Sequence, residues 1–107
     1  MDREIEDLLV DVRAQQDRVL EIQRAVERLE IVGYCPGGEV TARLRGNGRL
    51  IDLVIDPQAY RRFPPETFAA LVVEAVSDGQ RRLAEACRER FAPVLAEALE
   101  RLDGPDR

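Results

Sequence analysis

Residues 40–56 read VTARLRGNGRLIDLVID, and this stretch decides the fold. Val40, Ala42 and Leu44 alternate with Thr41, Arg43 and Arg45, the period of a strand with one face turned to a core. Gly46-Asn47-Gly48 supplies residues that tolerate positive φ, so the chain reverses there in a tight hairpin. The return strand, Arg49 to Ile55, turns Ile51, Leu53 and Ile55 inward. Leu50 and Val54 fall on its nominally outer face, and apolar residues on both faces predict that the sheet's second side is covered as well, by another subunit. Asp56-Pro57 ends the sheet, with Asp56 placed to cap a turn beginning at Pro57.

Upstream of the hairpin the period changes from 2 to 3.5. Ile5, Leu8, Val12, Val19, Ile22, Val26 and Leu29 share one helical frame, with Gln15 the only polar residue in the stripe. Asp2 is placed to cap this helix, which is expected over residues 2–30. At 1.5 Å per residue it is roughly 43 Å long, and it overhangs any sheet built from strands of ~20 Å. The overhanging turns need a second helix, from this chain or from another copy. Leu9 and Leu20 widen the stripe beyond a two-stranded seam, so a pure parallel zipper fits poorly. After Glu30, Ile31, Val32 and Tyr34 suggest a short strand ended by Pro36-Gly37-Gly38, which places the sheet at residues 31–56.

Downstream, Pro64-Pro65 opens a second long helix expected over residues 64–102. Its apolar positions include Phe68, Val72, Val76, Leu83, Cys87, Val94, Ala98 and Leu102, with Gly79 inside the stripe. A glycine there is unfavourable for the helix by ~1 kcal/mol relative to alanine, which predicts a close crossing. Pro93 lacks the N–H for the Glu89 carbonyl and is expected to kink or interrupt the helix. Helix, sheet and helix make one α+β domain over residues 1–107.

The composition narrows the chemistry. There is no His, Lys or Trp, and Ser77 is the only serine, so the usual nucleophile–base pairs are missing and no catalytic residue is assigned. Asp52 and Asp56 share a strand face, but an exposed strand residue and a turn cap account for them without a metal. Gly37-Gly38 and Gly46-Asn47-Gly48 lack a phosphate-loop pattern. Cys35 and Cys87 have no metal-ligand spacing and read as small buried hydrophobes. No cofactor, metal or small-molecule substrate is expected. No apolar run approaches a membrane span, and the acidic start Met1-Asp2-Arg3-Glu4 does not read as a secretory signal, so the expected location is cytoplasmic.

All sixteen basic residues are arginine, and the net charge is −5. Arginine suits bidentate phosphate contacts, although GC-rich coding also yields such usage. Residues 31–64 carry five Arg against three acids, whereas residues 1–30 carry five against nine and residues 65–107 six against nine. The middle segment alone is locally basic. Two arginine groups stand out: Arg43, Arg45 and Arg49 on the hairpin, followed by Arg61-Arg62, and Arg81, Arg82, Arg88 and Arg90 on the second helix. Glu85 and Glu89 lie within ion-pairing range of the helical group, whereas Glu39 and Asp52 are the acids near the hairpin in sequence.

The Gly-flanked hairpin, Leu53-Val54-Ile55-Asp56-Pro57, and a helix carrying Leu71-Val72-Val73-Glu74-Ala75-Val76-Ser77-Asp78 before Arg81-Arg82 together resemble the YbaB/EbfC family of bacterial nucleoid-associated proteins. The likeness runs from about Val19 to Phe91. It implies an α-β-β-β-α fold with a small antiparallel sheet between two long helices. It also implies a homodimer with sheets joined at the centre and helices projecting as arms, and nucleoid-associated DNA binding with little sequence preference. By that resemblance Asp56, Pro57 and Asp78 are structural, and Arg81 and Arg82 contact DNA. Arg43, Arg45 and Arg49 join them as expected phosphate contacts, and Ile5, Leu8, Val12, Val19, Ile22, Leu50 and Val54 as dimer or arm packing. The acidic first helix and the apolar positions Val94, Leu95, Leu99 and Leu102 admit an alternative, a dimeric protein-interaction adaptor of the same fold with weak or lost DNA binding.

Overall fold

The computed structural model describes residues 2–102, and the Asp2 side chain, the expected helix cap, lies outside what is described. The element order is α1 (Asp2–Glu27), β1 (Glu30–Tyr34), β2 (Val40–Arg45), β3 (Leu50–Ile55), α2 (Ala59–Arg62) and α3 (Pro65–Leu102). The three strands form one antiparallel sheet in the order β1-β2-β3. This is the expected α-β-β-β-α architecture, with the one-turn α2 added after Asp56-Pro57. The Asp56 carboxylate accepts the Gln58 N–H at 3.0 Å and its carbonyl accepts the Ala59 N–H at 2.9 Å, which coils the chain into α2.

The hairpin is built as its alternation requires. Val40, Ala42 and Leu44 have no exposed surface, and they pack with Cys35 against Ala75, Leu71, Val72 and Val76 of α3. Leu53 and Ile55 flank this core, while Leu50 and Val54 are exposed. Gly48 takes φ +88° in the turn, a conformation that costs any residue with a Cβ. The register shifts between Arg43 and Leu44, which pair with Asp52 and Leu50, so β3 carries one extra residue at this bulge.

The first helix stops at Glu27, short of the expected residue 30. Leu29 keeps the helical period, yet its carbonyl accepts the Gly46 N–H of the hairpin turn at 3.0 Å. Glu30 then pairs with Arg45 as the first residue of β1. A side chain on Gly46 would strike the Val26 carbonyl, so the turn can approach the helix end only as glycine. Long-range pairing therefore overrides the local helical signal.

Gly79 marks the predicted close crossing, and its partner is another glycine, Gly33 of β1. A Cβ on Gly33 would collide with the Gly79 nitrogen and the Ala75 carbonyl oxygen. One on Gly79 would enter the Leu44 side chain. This backbone contact seats α3 across the sheet. Beyond it α3 runs on through Pro93 to Leu102, so the proline does not end the helix. Opposite it lies α1, running antiparallel, with Arg18 ion-paired to Glu97 and Val26 buried at the root. The result is a sheet-centred root with a two-helix arm, 74 × 27 × 15 Å overall. No helix among the described residues is long and apolar enough to cross a membrane.

Candidate nucleic-acid interface

The hairpin arginines differ in how they are held. Arg43 lies between two carboxylates on neighbouring strands, 2.8 Å from Glu30 Oε2 and 3.4 Å from Asp52 Oδ2. The β1–β2 and β2–β3 registers bring Glu30 and Asp52 to either side of it. Sequence proximity suggested Glu39 and Asp52; Glu39 lies instead beside Arg62, and Glu30 enters only through strand pairing. Arg45 and Arg49 bracket the Gly46-Asn47-Gly48 turn, where the Asn47 side chain accepts the Arg49 N–H at 3.0 Å. Both are exposed, and neither guanidinium has a hydrogen-bond or ion-pair partner among the described residues.

On α3 the expected partners change. Arg81 and Arg82 lean back on Asp78, not on Glu85 or Glu89: Arg82 Nε lies 2.9 Å from Asp78 Oδ2 and Arg81 Nη2 3.5 Å from Oδ1. The same Asp78 carboxylate accepts the Tyr34 N–H at 2.9 Å. The backbone bond from Tyr34, followed by the one from Arg82, holds the Asp78 carboxyl below the usual aspartate value. Arg82 also lies over the Tyr34 ring, 5.6 Å from its centroid. Tyr34 was not singled out by its sequence context; a lone aromatic ending a short strand carries no signal of this contact. With side chains 72 % and 56 % exposed, Arg81 and Arg82 keep donors free for a ligand. Arg88 pairs with Glu85 at 2.6 Å, as the helical spacing suggests.

The structure does not merge the two groups. Glu30, beside Arg45, and Tyr34, under Arg82, are the two ends of β1, roughly 14 Å apart at ~3.4 Å per residue. Arg61 and Arg62 belong to α2, where Arg62 lies 3.8 Å from Glu39 and over Phe63. Glu39 also receives the Cys35 thiol, which donates to Oε2 at 3.1 Å, while the thiol sulfur accepts the Val40 N–H at 3.3 Å. That thiol bond, above all, lowers the Glu39 pKa. Cys35 is thus a buried, bonded loop residue, and both cysteines are free. No group of three or more metal-ligating side chains assembles among the described residues.

Comparison with known proteins adds family membership to this geometry. The chain is 31 % identical over 90 residues to a nucleoid-associated protein of Saccharopolyspora erythraea, covering 84 % of this chain and 78 % of that one. It is 30 % identical over 87 residues to a nucleoid-associated protein of Rhodococcus erythropolis, covering 81 % and 78 %. An uncharacterized protein of Helicobacter pylori has the same fold in its crystal structure, with a TM-score of 0.68 at 19 % identity over 82 % of this chain and 92 % of that one. A model of the YbaB/EbfC DNA-binding family matches residues 1–98, and the chain belongs to that family.

Proposed function

We propose that the protein is a nucleoid-associated homodimer that binds duplex DNA with little sequence preference through arginine–phosphate contacts. The observation that carries the reading is the pair of exposed guanidinium groups on Arg45 and Arg49, without partners among the described residues, at either side of the hairpin turn. A phosphate accepts such donors in bidentate fashion without reference to base sequence. Arg81 and Arg82 supply a second pair of contacts, pre-aimed by Asp78. Arg43 contributes less to the grip, because Glu30 and Asp52 already neutralise it.

The same ion-pair row supports dimerisation through the outer face of the sheet. Glu30, Arg43 and Asp52 satisfy one another there beside exposed Val54. β3 pairs only with β2, so its outer edge is open to a second copy. Both features suit a second subunit and leave the arms projecting.

Binding of two unrelated duplexes across salt concentrations tests the reading. Affinities should match between the duplexes and fall by orders of magnitude from about 50 to 200 mM salt. Arg45→Ala with Arg49→Ala should lower the slope of log K against log salt by roughly 2 for each bound protomer. Absence of binding at the low-salt end would overturn it. One observation favours the adaptor reading: α1 carries eight acids against four arginines, and such an arm repels a phosphate backbone. A stoichiometric protein partner retained after nuclease treatment, together with no duplex binding, would decide for the adaptor.

A further inference from the structure

Apolar exposure along the arm rises from root to tip. Val26 is buried and Val19 and Ile22 are half-buried against α3, but Ile5, Leu8, Leu9 and Val12 are 43 to 63 % exposed. On α3, Leu95, Leu99 and Leu102 are 55 to 78 % exposed. The Arg18–Glu97 pair sets the antiparallel register and, counted residue for residue, puts Leu102 level with Arg13. Ile5 therefore projects roughly 12 Å past Leu102 at 1.5 Å per residue. Between the helices an open groove is lined by Val12, Val19, Leu20, Phe91, Val94 and Leu95.

The charges beside this groove are self-complementary. At 100° per residue, the flank of α1 next to Leu9 and Leu20 carries Glu6, Arg13, Asp17 and Arg24, in the order minus, plus, minus, plus. All four are exposed, and none of their side chains has a partner among the described residues. Lay a second α1 antiparallel across the groove with residue 15 at the two-fold axis, and Glu6 is level with Arg24 of the copy, and Arg13 with Asp17. The same register brings Leu9 within one residue of level with the copy's Leu20, and Gln16 within two of its own counterpart. Ile5, Leu8, Leu9, Val12, Leu20, Leu95, Leu99 and Leu102 together leave on the order of 800 Å² exposed, about what one partner contributes to a standard-size interface.

We infer that the arm is a second self-association surface: two arms pack antiparallel into a four-helix bundle with α1 against α1, separately from the sheet face. The occupant of the groove is another copy of this chain. A protein able to associate through both surfaces joins its root-to-root dimers into larger assemblies, and with DNA bound it would hold duplexes together.

Sedimentation of the purified, nuclease-treated protein over a range of concentrations, at about 100 mM salt where exposed charge pairs still act, tests this. Leu9 is exposed, so Leu9→Glu leaves the root folded and is expected to reduce the assembly to the mass of the root-to-root dimer. Arg24→Glu should also weaken assembly, and adding Glu6→Arg to it should restore the wild-type mass. These residues lie 18 apart, about 27 Å along one helix, so the rescue cannot occur within a chain. A mass that Leu9→Glu leaves unchanged, as a foreign protein in the groove would produce, overturns the inference; so does failure of the charge-swap rescue. Val54→Glu reports separately on the sheet face. Association lost with Val54→Glu but kept with Leu9→Glu retains the sheet dimer and overturns the arm contact, and the converse result does the reverse.

Discussion

Root and arm use apolar residues in opposite ways. At the root, Val40, Ala42, Leu44 and Ala75 are wholly buried, and two glycines bring the α3 backbone onto β1. Along the arm, α1 and α3 touch through part of their stripes and leave leucines exposed toward the tip. A sheet backed by a helix satisfies itself at its centre, because the inward positions of β1 and β2 meet one helical face. Two antiparallel helices cannot, since each stripe spans more than the single line along which they touch. The root therefore specifies the fold, and the arm presents a surface.

Substitutions at the root should break this contrast most strongly. Gly33→Val drives a branched side chain into the Ala75 carbonyl and Gly79 nitrogen, and should cost about 3 kcal/mol or more in urea unfolding. Leu44→Ala removes a fully buried side chain and should cost about 3 kcal/mol by the same measurement. The Asp78 link between β1 and α3 gives a pH-dependent effect. Its carboxyl is held below the ordinary aspartate value in the folded chain, so the unfolded chain takes up the proton first on acidification. The stabilisation is present above the ordinary aspartate range and is lost as pH falls through the folded value. Stability measured against pH should show that acid loss in the wild type and a flatter profile in Asp78→Asn. At the other extreme, Leu8→Ala on the exposed arm should move the unfolding free energy of unassociated chains by no more than about 0.5 kcal/mol. A large effect there would show that the arm contributes to the stability of the single chain.

Much of the root was legible because its signals are local. Strand alternation, the Gly-Asn-Gly reversal and the glycine inside the α3 stripe each act within a few residues, through side-chain period or permitted φ. Gly33 was not legible: a glycine in a five-residue strand says nothing until α3 lies against it. The candidate interface was read in outline. The arginine positions follow from alternation and helical spacing, whereas their partners do not.

Periodicity and turn chemistry along the chain settled the order of elements, the inward faces of the hairpin and the excess of apolar surface on the arm. Three-dimensional pairing settled where α1 stops, which arginines are already neutralised and which remain available. Glu30 meets Arg43 only because β1 lies beside β2, and Asp78 meets the Tyr34 N–H across 44 residues of sequence. Carboxylates act on a guanidinium over a few ångströms, and at that range distance along the chain carries no information.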